Sequence, residues 1–477
     1  MQAIDIFAKL NSEPVSKSNF NRQFILGITL ISAMGGLLFG YDYVVIGGAK
    51  PFYERFFDIA ASPHLQGWAM SSALIGCLIG ALSSGYFSDR FGRKLPLITA
   101  AALFTIAAIG TGAVNQFTPF IIYRLIGGLG IGLASAISPM YIAEISPAAM
   151  RGRLVSINQL TIVIGILAAQ IINYLIAEAV PAGVTDEFIM NSWNGQMGWR
   201  WMFWAGTIPA LLFFILSFFI PESPRFLAKS GKSEKAFSIL KKIGGHEYAI
   251  QEQKEIAETL HGTDLKIDWK TLSSKKIRPV LVLGIVLAAF QQWCGINVIF
   301  NYAEEIFTSA GYSVGDMLFN IVITGSVNLI FTLLAMRMVD SWGRRKLMLL
   351  GSIGLTVIYL MLGTSYFFEL KGLAILVLVM VAIATYALTL APVTWVILSE
   401  IFPNKVRGAA MAIATTALWI ACFVLTYTFP ILNKLLNASG TFWLYALICL
   451  SGFLFILKKL PETKGKSLEE IENKLTH

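Results

Sequence analysis

Long apolar stretches recur along the whole chain, separated by mostly short polar joints. A bilayer crossing needs about 20 consecutive, mostly apolar residues, and twelve stretches meet or approach that length: 24–48, 66–86, 95–114, 118–140, 153–178, 200–220, 279–307, 315–338, 346–367, 371–398, 407–432 and 440–460. The pattern predicts an all-α membrane protein. The longest polar interruption falls midway, from Glu222 to Lys276, and within it Ala236, Ile239, Leu240 and Ile243 recur at helical spacing before Gly244 and Gly245. That spacing reads as a short amphipathic helix with a glycine stop. A second such pattern around Ile256 and Leu260 makes the segment a small helical bundle, the alternative being a plain solvated linker. The expected divisions are a tail over 1–23, six helices over 24–221, the helical linker over 222–276, six more helices over 277–460 and a tail over 461–477.

Composition strengthens the membrane reading. Charged residues make up 14% of the chain, against about 25% in soluble domains, and a soluble fold cannot cover this much apolar surface. The net charge of +9 sits in the joints between apolar runs, so it reads as a topology signal and not as a nucleic-acid surface. Arg90, Arg93 and Lys94, then Arg151 and Arg153, then Arg337, Arg344, Arg345 and Lys346, then Lys405 and Arg407 occupy alternate joints. The opposite joints hold Lys50, Arg55, Lys371 and Lys434, with Arg200 near a boundary, so both termini are expected in the cytoplasm. The first apolar run has no small-residue cleavage site behind it and is expected to be retained. Cys77, Cys294, Cys422 and Cys449 lie inside apolar stretches with no CxxC pair, and neither a disulfide framework nor a metal site is expected.

The strongest organisational signal is an internal repeat. Ser88-Asp89-Arg90-Phe91-Gly92-Arg93-Lys94 returns as Val339-Asp340-Ser341-Trp342-Gly343-Arg344-Arg345-Lys346, and Glu144-Ile145-Ser146-Pro147 with Arg151-Gly152 returns as Glu400-Ile401-Phe402-Pro403 with Arg407-Gly408. Each motif falls at the same place in each set of six helices, so the halves are parallel copies, the arrangement of the major facilitator architecture.

Five landmarks carry a family resemblance: Gly36-Leu37-Leu38-Phe39-Gly40-Tyr41-Asp42, Asp89-Arg90-Phe91-Gly92-Arg93-Lys94, Pro221-Glu222-Ser223-Pro224-Arg225-Phe226-Leu227, Gln291-Gln292 with Gly295-Ile296-Asn297, and Pro461-Glu462-Thr463-Lys464-Gly465. In this order and spacing the chain resembles the sugar porter branch of the major facilitator superfamily over nearly its whole length, closest to bacterial proton/xylose symporters and related glucose transporters. The resemblance implies proton-coupled uptake of a monosaccharide by alternating access in the cell membrane. The expected partners are the sugar, the proton and the lipid bilayer, with no cofactor, no nucleic acid and a working monomer.

The residues themselves support parts of this. Asp42 lies deep in the first apolar run, where an ionised carboxylate costs on the order of 3 kcal/mol or more. Arg124, a charge inside the fourth run, is its candidate partner, and protonation of Asp42 would release it. The resemblance places a coupling aspartate at this position, whereas facilitators of the animal glucose-transporter type are neutral there. One departure is that the xylose symporters carry a glutamate after the Trp-Arg-x-Met-Phe run, where this chain has Trp204, Ala205, Gly206 and Thr207. A permanent Asp42 to Arg124 brace is the competing reading.

For the sugar, amides suit hydroxyls and aromatic faces suit the ring. Gln291, Gln292 and Asn297 point in separate directions on a straight helix, so Gly295 between them predicts a break. Gln159, Asn328, Trp395 and Trp419 match sugar-contact positions of the family, and Phe39 lies one turn before Asp42. Leu418, where the family often has an amide, and Ala391, where glycine is usual before Pro392, are departures that bear on sugar preference. Asp89, Arg90, Arg93, Glu144 and Arg151, with Asp340, Arg344, Arg345, Glu400 and Arg407, form a candidate cytoplasmic gate, Glu144 facing Arg151 and Glu400 facing Arg407 as complementary partners in each half. Their alternative is topology alone.

Pro139 and Pro392 predict kinks, and Gly76, Gly80, Gly128 and Gly132 predict close helix contact. The run Gly127-Gly128-Leu129-Gly130-Ile131-Gly132 has no strand before it and is not a nucleotide loop. His246-Glu247 lacks the second histidine of a zinc motif, and no constellation for catalysis is found. An uncoupled facilitator, a polyol or inositol carrier and a sugar sensor remain as alternatives on the same fold, the short tail opposing the last.

Overall fold

The computed structural model describes residues 20–148, 150–181, 184–261, 274–403 and 406–464. The expected tails over 1–23 and 461–477, part of the linker, Lys405 and Gly465 therefore lie wholly or partly outside the described residues. All regular structure among the described residues is helical.

The first half comprises α1 (Arg22–Phe56), α2 (Pro63–Phe91), α3 (Lys94–Ala113), α4 (Phe117–Ile145), α5 (Arg151–Ile176) and a sixth crossing. That crossing follows a short α6 (Asp186–Asn191) and a π-helical turn (Asn194–Gly198), and is made by α7 (Trp199–Ala205) and α8 (Thr207–Ser217). Side chains set several starts: Asn21 accepts from the Phe24 amide, and Ser62 from that of Leu65 with Pro63 at the first helical position. α1 has 35 residues, about 50 Å at 1.5 Å per residue and well over the thickness of a bilayer core. It runs past the expected end at 48 because Lys50 and Glu54 stay in the helix and are buried, where the sequence reading had put Lys50 and Arg55 in a joint.

The linker folds as α9 (Pro224–Lys229) and α10 (Ser233–His261), which bends at Gly245 with φ 87°. Ile243 packs with Ile25, Ala33, Ile142 and Leu154 at the ends of α1, α4 and α5, with Ile239 against the same cluster, and the Asn21 amide donates to the Ile243 carbonyl at 2.9 Å.

The second half comprises α11 (Arg278–Trp293), α12 (Ile296–Asn301), α13 (Ala303–Ser309), α14 (Val314–Trp342), α15 (Arg344–Phe367), α16 (Leu373–Leu388), α17 (Leu390–Ile401) and α18 (Arg407–Lys459). α18 is two crossings joined at Asn437, where φ is 57° and ψ 176°, so among the described residues eleven apolar helices of sufficient length account for twelve crossings. α16 and α17 break at Thr389, three residues before Pro392, whose ring cannot continue the helical hydrogen bonding.

Glycines let helices touch backbone to backbone. A Cβ on Gly76 or Gly80 would run into carbonyls of Leu125 or Leu129 on α4, and one on Gly128 or Gly132 into carbonyls of Ala73 or Cys77 on α2. The same interlock joins α1 and α5 through Gly40 and Gly165. Large apolar side chains such as Leu175, Ile208 and Phe219 stay more than 70% exposed, as a lipid-facing surface requires.

The repeat in sequence is a repeat in geometry. Gly92 and Gly343 turn the chain with φ 85° and 89°, a region that favours glycine. The Glu222 carboxylate accepts from the amides of Arg93 (2.8 Å) and Lys94 (3.3 Å), and Glu462 accepts from that of Arg344 (2.9 Å). Burial alone would raise the Glu462 carboxyl, but the surrounding backbone N–H groups outweigh it and hold it below the usual carboxylate range.

Candidate functional site

The seventh crossing is interrupted between α11 and α12, where Gly295 adopts φ 86°. The break brings together the three amides that a straight helix would scatter. Gln291 Nε2 donates to the Tyr386 hydroxyl at 2.7 Å, Gln292 Nε2 to Gln291 Oε1 at 2.6 Å, and Asn297 Nδ2 to Gln292 Oε1. The chain of polar groups continues across to α1: Asn297 faces Cys422 Sγ at 3.8 Å, which lies 3.5 Å from the Tyr43 hydroxyl, and Asn301 Nδ2 lies 3.3 Å from that same hydroxyl.

Trp419 borders this array. It is buried with its indole N–H unpartnered, and its ring stands 5.9 Å from that of Phe39. Asn328 is buried on α14. Gln159 and Trp395 are exposed. Gln170, about three turns along α5 on the same face as Gln159, nests on Gly325 of α14, where a Cβ would collide with its Oε1. That face of α5 is therefore turned toward the second half. The halves touch at Gln170, and Gln159 lies open nearer the basic loops.

Arg124 Nη1 donates to Asp42 Oδ1 at 2.9 Å, with the Arg124 side chain 2% and the Asp42 side chain 16% exposed. Only one carboxylate oxygen is engaged: Nη1 and Nη2 also donate to the Asp42 backbone carbonyl at 3.5 and 3.4 Å, while Asp42 Oδ2 and Arg124 Nε are buried without a hydrogen-bond partner. The guanidinium also lies 5.8 Å from the Phe203 ring centroid. Thr207, last of the stretch Trp204–Thr207 that holds no carboxylate, is half-buried, and its hydroxyl oxygen is buried and unpartnered. Removing one member of a buried ion pair costs roughly 3–5 kcal/mol, because the other is left uncompensated. Arg124→Leu is therefore expected to lower thermal stability by roughly that amount, and adding Asp42→Asn to recover most of it. Thermal denaturation of purified wild type, single and double variants measures this, and a double variant no more stable than Arg124→Leu alone would refute it.

On the basic-loop side, Arg93 Nη2 pairs with Glu144 at 2.8 Å and Arg344 Nη2 with Glu400 at 3.1 Å. Each pair joins elements of one half. This corrects the expected partners: Arg93 and Arg344 reach the two glutamates from within the bundle, while Arg151 is exposed and Arg407 Nε donates to its neighbour Phe402's carbonyl at 3.2 Å. Asp89 pairs with Lys229 of α9 at 3.0 Å, Arg90 lies over Tyr86 and Phe91, and Arg345 donates to the Leu457 carbonyl at 2.8 Å. The side chain of Asp340 lies outside the described residues.

On the opposite side the halves are joined. Lys50 of α1 contacts Glu304 at 3.0 Å and Glu305 at 2.7 Å on α13. His64 meets the Tyr427 hydroxyl at 3.3 Å, and Trp68 packs edge-on against Phe423. The molecule is thus closed on the Lys50 side. Sequence reasoning missed Lys50, Glu54, Glu304 and Glu305, although adjacent glutamates near the end of the seventh apolar run were a visible signal. It also missed Tyr43, Asn301 and Tyr386, polar groups inside apolar runs whose partners lie on other helices.

A family profile described as "Sugar (and other) transporter" matches residues 28–475. The D-xylose-proton symporter of Escherichia coli (strain K12) is 40% identical over 95% of this chain and 96% of its own length. The arabinose-proton symporter of Bacillus subtilis (strain 168) is 40% identical, with 96% of each chain covered. The inward open conformation of the xylose transporter XylE from E. coli superposes with a TM-score of 0.82 at 39% identity, covering 94% of this chain and all of that one.

Proposed function

The chain belongs to the sugar (and other) transporter family, and from that premise we propose that it carries a monosaccharide, pentose or hexose, into the cell together with a proton. It is a multi-pass membrane transporter with the major facilitator fold. The two halves rock about the amide array, exposing it to each side in turn. Placement of the basic loops in the cytoplasm puts both termini there and the Lys50 side outside, so the conformation is inward-facing. Both halves and the whole site come from one chain, which supports a working monomer in the cell membrane.

The observation that supports the coupling is the buried, unpartnered Oδ2 of Asp42, whose carboxylate Arg124 grips through the other oxygen alone. A permanent brace would use both oxygens in a guanidinium fork. Here one oxygen is left to take a proton, and protonation weakens the hold of Arg124. An uncoupled facilitator is the second reading, favoured by the absence of a carboxylate among Trp204, Ala205, Gly206 and Thr207, the stretch where the symporters resembled carry a glutamate. The test is reconstitution into liposomes with labelled D-xylose, L-arabinose, D-glucose, D-galactose and a polyol, with and without an inward proton gradient. Concentration of one of the sugars only under the gradient is expected; uptake that merely equilibrates in both conditions would establish the facilitator.

In this reading Gln292 is the centre of the sugar-binding amides and Trp395 a wall reached when the halves close on cargo, with Gln159, Asn328, Trp419 and Phe39 around them. Gln292→Ala and Trp395→Ala are each expected to weaken sugar binding by roughly tenfold, the scale of one or two hydrogen bonds or a lost aromatic face. Titration calorimetry on the purified variants measures it. Unchanged affinity in both removes the site from this place.

A further inference from the structure

At the closed end of the molecule one ammonium is held by three carboxylates. Lys50 Nζ donates to Glu54 Oε2 at 3.1 Å and to Glu304 Oε2 at 3.0 Å, and forms an ion pair with Glu305 Oε1 at 2.7 Å, so one ammonium faces three different acids. Side-chain exposure is 2% for Lys50, 5% for Glu54, 14% for Glu304 and 22% for Glu305. Lys50 and Glu54 belong to the first half, and both other glutamates to α13 of the second.

The charges do not balance. Three carboxylates against one ammonium leave two negative charges in a largely dehydrated site, and each uncompensated buried ion costs several kcal/mol. The neighbours do not neutralise them. Gln66 of α2 donates to Glu54 Oε2 at 3.3 Å but is uncharged. Arg55 is engaged with Asp186 at 2.7 Å and with the Pro51 carbonyl. The hydroxyls of Tyr53 and Tyr302 donate to Met70 Sδ and the Thr426 carbonyl, and Arg124 of α4 holds Asp42. Glu54 Oε1 and Glu305 Oε2 are buried with no hydrogen-bond partner, which is where a carboxylic acid would carry its proton.

We propose that the Lys50, Glu54, Glu304 and Glu305 cluster is a second proton-binding site, separate from Asp42, that is filled when the halves close on this side and emptied when they part. With the halves apart, Glu304 and Glu305 leave Lys50, water returns and all three acids ionise normally. Closing them against one ammonium takes up at least one proton onto a carboxylate oxygen, and opening returns it to the same side. The site therefore adds nothing to the transport stoichiometry. By linkage, acid on this side favours the closed gate, shifting the closed-to-open ratio by up to about tenfold per pH unit for each proton bound.

The inference rests on the rocking of the halves proposed above. The experiment uses full-length protein in lipid nanodiscs, in an Asp42→Asn background that removes the other proton site. Spin labels go on cysteines introduced at the exposed positions Phe188 and Leu370, the four native cysteines being buried. Distance distributions are recorded from about pH 8 to about pH 5.5. The closed population is expected to grow as the pH falls. Adding Glu54→Gln and Glu305→Gln, together or Glu305→Gln alone, is expected to hold the gate closed at high pH and flatten the response. Two populations that ignore pH, or a slope unchanged by the glutamines, would overturn the second site alone. A single distance at every pH with and without D-xylose would overturn the rocking as well.

Discussion

Asp42→Asn is expected to abolish uphill sugar accumulation while leaving equilibrative exchange intact. Asparagine keeps the size of the side chain and a carbonyl for the Arg124 contact of 2.9 Å, yet it neither binds nor releases a proton near neutral pH. If the proton on Asp42 is the driving ion, the wild type under an inward gradient of about one pH unit concentrates sugar about tenfold at one proton per sugar, since one pH unit is 1.36 kcal/mol. The variant should stop at equal concentrations inside and out. Counterflow of labelled sugar should continue, because the amides of α11 and α12 are untouched. Liposome uptake with and without the gradient, run beside counterflow, separates the outcomes. Accumulation by the variant would end the case for Asp42 as the coupling site and leave it as a structural brace.

A second large effect is expected at Gly40, two residues before Asp42. A Cβ there would meet the backbone carbonyl of Ile162 on α5, and Gly165 meets Leu37 of α1 in the same way. Backbone cannot turn aside as a side chain can, so Gly40→Ala must push α1 and α5 apart. Overpacking of this kind costs about 1–3 kcal/mol, and it disturbs the helix that holds Asp42, Phe39 and Tyr43. A clear fall in melting temperature with near-complete loss of transport is expected. Gly27→Ala and Gly152→Ala, where a Cβ meets nothing within 4 Å, are the controls and should behave as wild type. Equal behaviour of all three would show that α1 and α5 do not need their close approach.

Much of the fold was legible in the linear chain for identifiable reasons. A bilayer core imposes a length on every crossing, so apolar runs announce themselves, and the count of twelve matches the crossings made by the eleven long apolar helices among the described residues, the last of which crosses twice. Duplicated loops announce a duplicated scaffold, because Gly92 and Gly343 make the same turn and Glu222 and Glu462 cap the same helix starts in each copy. Even the break at Gly295 followed from an argument about direction, since three amides cannot share a face on an unbroken helix.

The partners of the charged groups were not legible in the same way. Pairing of Glu144 with Arg93 and not Arg151, or of Glu400 with Arg344 and not Arg407, depends on which guanidinium reaches the carboxylate from within the bundle. Lys50 read as a loop cation and is a buried ion, because its acceptors Glu304 and Glu305 lie some 250 residues away on the other half. By itself, the sequence determined the number of crossings, the twofold internal repeat and the family, since these depend on hydrophobic length and on local motifs. Only the tertiary structure decided which charges meet, which oxygens stay unpartnered and which end of the molecule is closed. Electrostatic contact falls off over a few ångströms and is set by how separate helices pack.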